Sequence, residues 1–215
     1  MHCGKMVPVK ADLRCQCYPQ AMTNQSPAWD RPTRFLHLGL ALTVTVQLMV
    51  SLFMVAPGSR HPSTLVTHGG FIVHEWVGLA ALLIVLLHWT WSVLGSGTAG
   101  IGHLFPLDRD GRRLMVTELR GLLAGRISRG GPRGGVAGLA HGLGLLAVTA
   151  VAATGGLLFV LFPPHGSTAA VTRVIREMHE LLSELVWAYW FGHIGMAVLH
   201  EIRGEGVLQR MFRLR

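Results

Sequence analysis

Four apolar stretches, each long enough to cross a membrane, dominate the sequence. They are Phe35–Ala56, Phe71–Leu94, Val136–Phe162 and about His179–His200. A spanning helix needs about 17 to 25 residues that are mostly apolar. The fourth stretch is the least hydrophobic, because Glu180 and Glu184 lie in its first turns. Only 14% of all residues are charged, against about a quarter in soluble domains. The sequence therefore predicts an all-α fold, a four-helix transmembrane up-and-down bundle.

The basic residues indicate how this bundle is oriented. Five Lys or Arg residues precede Phe35, seven Arg residues lie in the loop 95–135, and four follow His200. The two remaining loops carry only Arg60, Arg173 and Arg176. Loops on the cytoplasmic side of membrane proteins are enriched in Lys and Arg. We therefore expect a multi-pass protein of the bacterial inner membrane with both termini in the cytoplasm. The net charge of +8 then follows from topology, and no nucleic-acid partner is expected.

Three parts of the chain follow from this pattern. Residues 1–33 are expected to be a disordered cytoplasmic leader, residues 34–202 the four-helix domain with its Arg-rich loop 95–135, and residues 203–215 a basic cytoplasmic tail. The leader holds all three cysteines, Cys3, Cys15 and Cys17, which lack the spacing of a zinc site. In the loop, leucines alternate with Arg between residues 114 and 123. This pattern predicts a short amphipathic helix, either on the membrane surface or as a docking surface for a soluble partner.

Histidines inside the predicted spans fall at two levels. Ionisable residues within a membrane are costly and are functional candidates. Alternating span direction places one group near the cytoplasmic face, which we call the inner level: His37, His88, His141 and His193. The outer level holds His74 and His179. His179 and His193 are 14 residues apart, which is about 21 Å and almost four turns of helix, so they lie on one face of the fourth span. Five further histidines are expected in solvated loops: His2, His61, His68, His103 and His165.

Two imidazoles on opposite sides of a flat macrocycle are what a b-type haem with two histidine ligands requires. The outer level supplies His74 and His179, and the inner level supplies His193 with His37, His88 or His141. The pattern thus predicts two haems b per chain, with these histidines binding the haem iron. One alternative is a histidine-lined membrane protein that binds or transports a metal ion, which needs three or four converging ligands. Another is a non-redox membrane anchor subunit whose histidines make hydrogen bonds between helices.

Four short motifs occur at the starts of the spans: RFLH, VHEWVG, GLAHGLG, and MHE with GH following it in the fourth span. In this order they resemble the bacterial cytochrome b561 family and the di-haem cytochrome b subunits of hydrogenase- and formate dehydrogenase-type complexes. The resemblance implies an outer haem on His74 and His179 and an inner haem on His37 and His193. His88 stands where the family often has Arg, which would make it a partner of a haem propionate. It also lies 14 residues after His74, the interval seen in the fourth span, which makes it an alternative inner ligand. His141 is a further candidate for the inner site.

The function expected from this resemblance is electron transfer between the quinone pool and a redox partner, or superoxide, through two stacked haems. Whether the chain is an enzyme in its own right or an electron-transfer subunit is left open. The expected partners are membrane lipid, quinone, a dehydrogenase or hydrogenase subunit or a soluble electron carrier, and a second copy of the chain.

Overall fold

The structure is a computed structural model that describes residues 29–55, 64–95, 100–128, 135–161 and 170–212. Within these ranges every regular element is a helix, so the all-α prediction is confirmed. The seven helices are α1 (Arg31–Ser51), α2 (Leu65–Leu94), α3 (Ile101–Leu104), α4 (Arg109–Leu123), α5 (Gly135–Leu161), α6 (Ala170–Ile202) and α7 (Val207–Phe212). The first 28 residues of the expected leader, with its three cysteines, and also His61 and His165, lie outside the described residues.

Three of the described helices, α1, α2 and α5, are long and apolar enough to cross a membrane. The fourth predicted span corresponds to α6, which has 33 residues but is not among the helices that reach this level of apolarity. Its first half carries charged residues on several turns, among them Arg173, Arg176, Glu177, Glu180 and Glu184. Helix α6 is long enough to span a membrane, but these charged residues make it less apolar than the other three long helices.

Helix α2 starts earlier than the hydropathy predicts, because Thr64 caps it. The Thr64 hydroxyl accepts a hydrogen bond from the backbone N–H of Thr67, and the Thr67 hydroxyl accepts one from the N–H of Thr64. This reciprocal pair satisfies N–H groups that a helix start otherwise leaves free. His68, expected in a loop, therefore lies in the first turns of α2. His103, also expected in a loop, lies in α3. Both loop predictions were wrong.

The four long helices share one core. Its buried residues come from all four of them: Leu48, Val85, Leu145, Val148 and Val186. Along α2, Val85 lies between His74 and His88, and along α6, Val186 lies between His179 and His193. Helices α5 and α6 approach closely at Gly144, where an added Cβ would overlap the ring of Tyr189. Small residues allow membrane helices to pack at such short separations.

Two tryptophans connect helices across the bundle through their indole N–H groups. Trp89 on α2 donates to the hydroxyl of Thr149 on α5 over 2.8 Å. Trp190 on α6 donates to the hydroxyl of Thr45 on α1 over 3.1 Å. A hydrogen bond between membrane helices contributes only about 0.6 kcal/mol on average. The main effect of these two bonds is therefore to fix how each helix is rotated about its own axis, and their contribution to stability is small. The second bond brings the last long helix beside the first.

The Arg-rich loop folds into α3 and α4, so the short helix expected there is observed. Its apolar residues Leu114, Val116, Leu119, Leu122 and Leu123 are exposed. The carboxylate of Glu118 accepts a hydrogen bond of 2.7 Å from the backbone N–H of Val136, in the first turn of α5. This contact places α4 beside the start of a span.

The C-terminal tail also contains a helix. Gly204 and Gly206 have positive φ angles of 72° and 59°, a conformation that glycine adopts without steric cost, and the chain turns back there after α6. The Arg34 Nε–H donates to the carbonyl oxygen of Met211 over 3.0 Å. Helix α7 therefore lies against the beginning of α1, close to the inner level.

Candidate functional site

The two outer-level histidines face each other across the bundle. His74 on α2 and His179 on α6 have ring centres 6.1 Å apart, with their planes at 87°. Both line a mostly apolar cavity to which all four long helices contribute. Gly78, Gly155 and Gly156 are also in its lining, and Gly155 lies directly against the His179 ring. The predicted outer pair is thus brought together at one cavity.

His179 is held against α5 by two neighbouring residues. Its Nδ1 lies 3.0 Å from the hydroxyl oxygen of Thr154. At Gly155 an added Cβ would lie only 3.0 Å from Cε1 of His179, so the imidazole rests directly on the helix backbone. His74 has no comparable support, because its Nδ1 is buried without a hydrogen-bond partner among the described residues.

The four inner-level histidines come from four different helices and lie in one cluster. The ring centres of His37 and His193 are 6.1 Å apart, with their planes at 50°. Those of His141 and His193 are 5.0 Å apart and nearly perpendicular. His88 is close enough to His37 and His141 to interact with them electrostatically. All the histidines of the predicted inner site are therefore near one another.

Hydrogen bonds distinguish the members of this cluster. His141 Nδ1 donates to the carbonyl oxygen of Ala137 over 2.7 Å, so its Nε2 is the nitrogen left for another partner. His88 Nδ1 lies 3.3 Å from the Ser92 hydroxyl, and His193 Nδ1 lies 3.4 Å from the Tyr189 hydroxyl. His37 Nδ1 is buried, and no described residue forms a hydrogen bond with it. The Phe212 ring of α7 lies 6.1 Å from the His37 ring.

The spacing of the rings tests which histidines fit a haem iron. An imidazole nitrogen lies about 2 Å from a bound metal ion, and the ring centre roughly 1 Å further, so two rings on opposite sides of one ion are about 6 Å apart. The pairs His74–His179 and His37–His193 both have this separation. His141 and His193 are too close for it. In the described ranges no group of three or more His, Cys, Asp or Glu side chains is arranged to hold a metal ion.

Sequence reasoning missed two residues next to these histidines. Thr154 touches His179, and its only signal is a hydroxyl within an apolar span, beside the glycine pair 155–156. Phe212 lies beside His37, and no local pattern marks it, because its position depends on the turn that brings α7 back to α1.

One comparison with known proteins gives a match. The family model described as prokaryotic cytochrome b561 covers residues 28–214, which is nearly the whole chain. No curated protein and no solved structure matches the chain.

Proposed function

Because this chain belongs to the prokaryotic cytochrome b561 family, we propose that it is a di-haem cytochrome that transfers electrons between the quinone pool and a redox partner, or superoxide. Family membership makes it a bacterial membrane protein that binds haem b and transfers electrons. The number of haems, their ligands and the electron partners are the parts that we propose here. The observation that carries the proposal is the equal 6.1 Å separation of two histidine pairs on opposed helices.

We assign the outer haem to His74 and His179 and the inner haem to His37 and His193. Each pair offers two imidazoles at a separation that would let both bind one iron. The resemblance of the RFLH motif favours His37 over His88 as the inner partner of His193, and the ring distances favour His37 over His141. His88 would then be a polar neighbour able to bind a haem propionate. His141 supports the inner site without binding the iron, since its ring is only 5.0 Å from that of His193.

Bound haem supplies reversible one-electron chemistry, while the protein sets its burial and potential. The histidines hold and orient the group from two sides. The core residues Leu48, Val85, Leu145, Val148 and Val186 fill the bundle between the levels and keep water out of it. At the inner level, Phe212 of α7 covers the side of His37. The chain thus provides two dry, fixed sites along one bundle.

We further propose that α6 is a fourth span and that residues 34–202 form one bundle with both termini in the cytoplasm. The distribution of Lys and Arg supports this orientation, and the bond between Trp190 and Thr45 supports α6 as part of the bundle. Alkaline phosphatase fused after Arg215 tests the orientation, because this enzyme is active only outside the cytoplasm. An active fusion would contradict the proposed topology.

Quinone is the proposed electron partner because it is dissolved in the same lipid phase as the spans. Adding a quinol to the purified protein and recording its visible absorption tests this part of the proposal. Reduction of the haem within seconds is the expected result. A protein that dithionite reduces but quinols leave oxidised would point to a different donor.

The ligand assignment is tested by comparing His179→Ala with His193→Ala. The first variant is expected to lose the outer haem and keep most of the inner one, and the second is expected to do the reverse. Haem content per chain, with redox titration of what remains, distinguishes the two haems. Equal loss of both haems in each variant, while the fold is retained, would contradict the assignment to two separate levels.

A further inference from the structure

The hydroxyl of Thr154 has three neighbours and one hydrogen. Its oxygen lies 3.0 Å from His179 Nδ1, 3.0 Å from the carbonyl oxygen of Ala150 and 2.9 Å from that of Val151. Both carbonyl oxygens belong to the preceding turn of α5, and a carbonyl oxygen can only accept. A hydroxyl donates one hydrogen bond and accepts up to two.

A threonine hydroxyl within a helix commonly donates to a carbonyl oxygen of the preceding turn, and both such carbonyls are within reach here. When the hydroxyl hydrogen goes to one of the two carbonyls, the hydroxyl oxygen can only accept from His179. The proton of the neutral ring then resides on Nδ1, and Nε2 keeps its lone pair free. Such a lone pair is what a histidine that binds a metal ion must offer. His141 at the inner level has its Nδ1 proton fixed in the same way, by the carbonyl of Ala137.

We propose that Thr154 is the positioning residue of the outer site, which selects the tautomer of His179 and fixes the orientation of its ring. The proposal rests on the proposed binding of haem at His74 and His179. Gly155 completes the arrangement, because only a residue without a side chain lets the ring lie this close to α5. Thr154 and Gly155 thus form a seat for one ligand, built on a different helix from the ligand itself.

The seat makes the two outer ligands unequal. With the Thr154 hydrogen on a carbonyl oxygen, the Thr154 oxygen accepts from His179 Nδ1, 3.0 Å away, whereas His74 Nδ1 has no hydrogen-bond partner among the described residues. An acceptor at the second ring nitrogen makes a ligand histidine more basic. A more basic ligand stabilises ferric iron relative to ferrous iron and so lowers the midpoint potential. Thr154 is therefore expected to hold the potential of the outer haem below the value that it would have with two unsupported ligands.

The test is a redox titration of the full-length, detergent-purified holoprotein carrying Thr154→Val, which keeps the shape of the side chain and removes the hydroxyl. The expected result is a rise in the midpoint potential of one haem, identified as the one that is missing from His179→Ala. Thr154→Ser restores the hydroxyl and should restore the potential. Thr149→Val is the matched control, because Thr149 lies on the same helix and bonds Trp89 instead of a histidine. It should leave both potentials unchanged.

The outcomes separate this proposal from the proposed function. Selective loss of the outer haem in Thr154→Val, with recovery in Thr154→Ser, also supports Thr154 as the positioning residue. The positioning role of Thr154 would be overturned if Thr154→Val kept two haems with unchanged midpoint potentials. It would also be overturned if Thr154→Ser shifted the midpoint potential as much as Thr154→Val does. Absence of haem from the wild-type protein would instead overturn the proposed function.

Discussion

At the scale of single residues, the inner level poses the sharpest question, because four histidines are candidates for the two ligand positions of the proposed inner haem. His37 and His193 have the same ring separation as the outer pair. The His141 ring is only 5.0 Å from that of His193, which is closer than two ligands of one iron would be. Ring distance therefore suggests different roles for His37 and His141, which the sequence places at one level.

The prediction at this scale compares three alanine variants. His37→Ala is expected to reduce the haem content from about two to about one per chain, because the inner iron loses one of its two ligands. His141→Ala and His88→Ala are expected to keep about two haems. The measurement is haem per chain, with thermal unfolding as a check that each variant folds. If His88→Ala lost the inner haem while His37→Ala kept it, the ligand would be His88.

How far these residues could be predicted depends on the range of the contacts involved. The two histidine levels follow from helical periodicity and span direction, and both are properties of the local sequence. The seat of His179 does not, because Thr154 and His179 lie on different helices and meet only through the packing of α5 against α6. The same holds for Phe212, which reaches His37 from the far end of the chain.

At the scale of elements, α7 has a role that its composition did not indicate. Four basic residues follow His200, which indicated only a basic cytoplasmic tail. The structure instead folds Val207–Phe212 into a helix that buries Met211 and contacts α1 through Arg34. Two helices also begin earlier than the apolar stretches predict. Helix α2 begins at Leu65 because Thr64 caps it, and α6 begins at Ala170, in a charged segment that its hydropathy did not mark as part of a span.

The prediction at this scale is that α7 protects the inner haem. A chain that ends after Gly206 lacks Met211 and Phe212, so the His37 side of the inner site becomes exposed to water. The inner haem should then be lost faster than the outer haem during gel filtration in detergent, as followed by the visible absorption spectrum. A chain that ends after Phe212 is the control and should keep both haems as the full chain does. If both truncated proteins lost the inner haem at the same rate, α7 would not have the protective role predicted for it.

At the scale of the whole molecule, the arrangement is a bundle whose long helices each contribute to a shared core and to one or both histidine levels. Helices α2 and α6 carry histidines at both levels, whereas α1 and α5 carry one inner-level histidine each. Two glycines of α5 allow α6 to pack closely: Gly144 makes room for the Tyr189 ring and Gly155 for the His179 ring. The packing of α5 against α6 therefore also determines where His179 lies.

The measurement that tests this account most directly is the amount of haem b per chain. Protein purified in detergent from cells supplied with haem is assayed as the pyridine haemochrome, and the chain is quantified by amino-acid analysis. The account predicts about two haems per chain, one for each pair of histidines with ring centres 6.1 Å apart. A value of one or less in well-folded protein would contradict it.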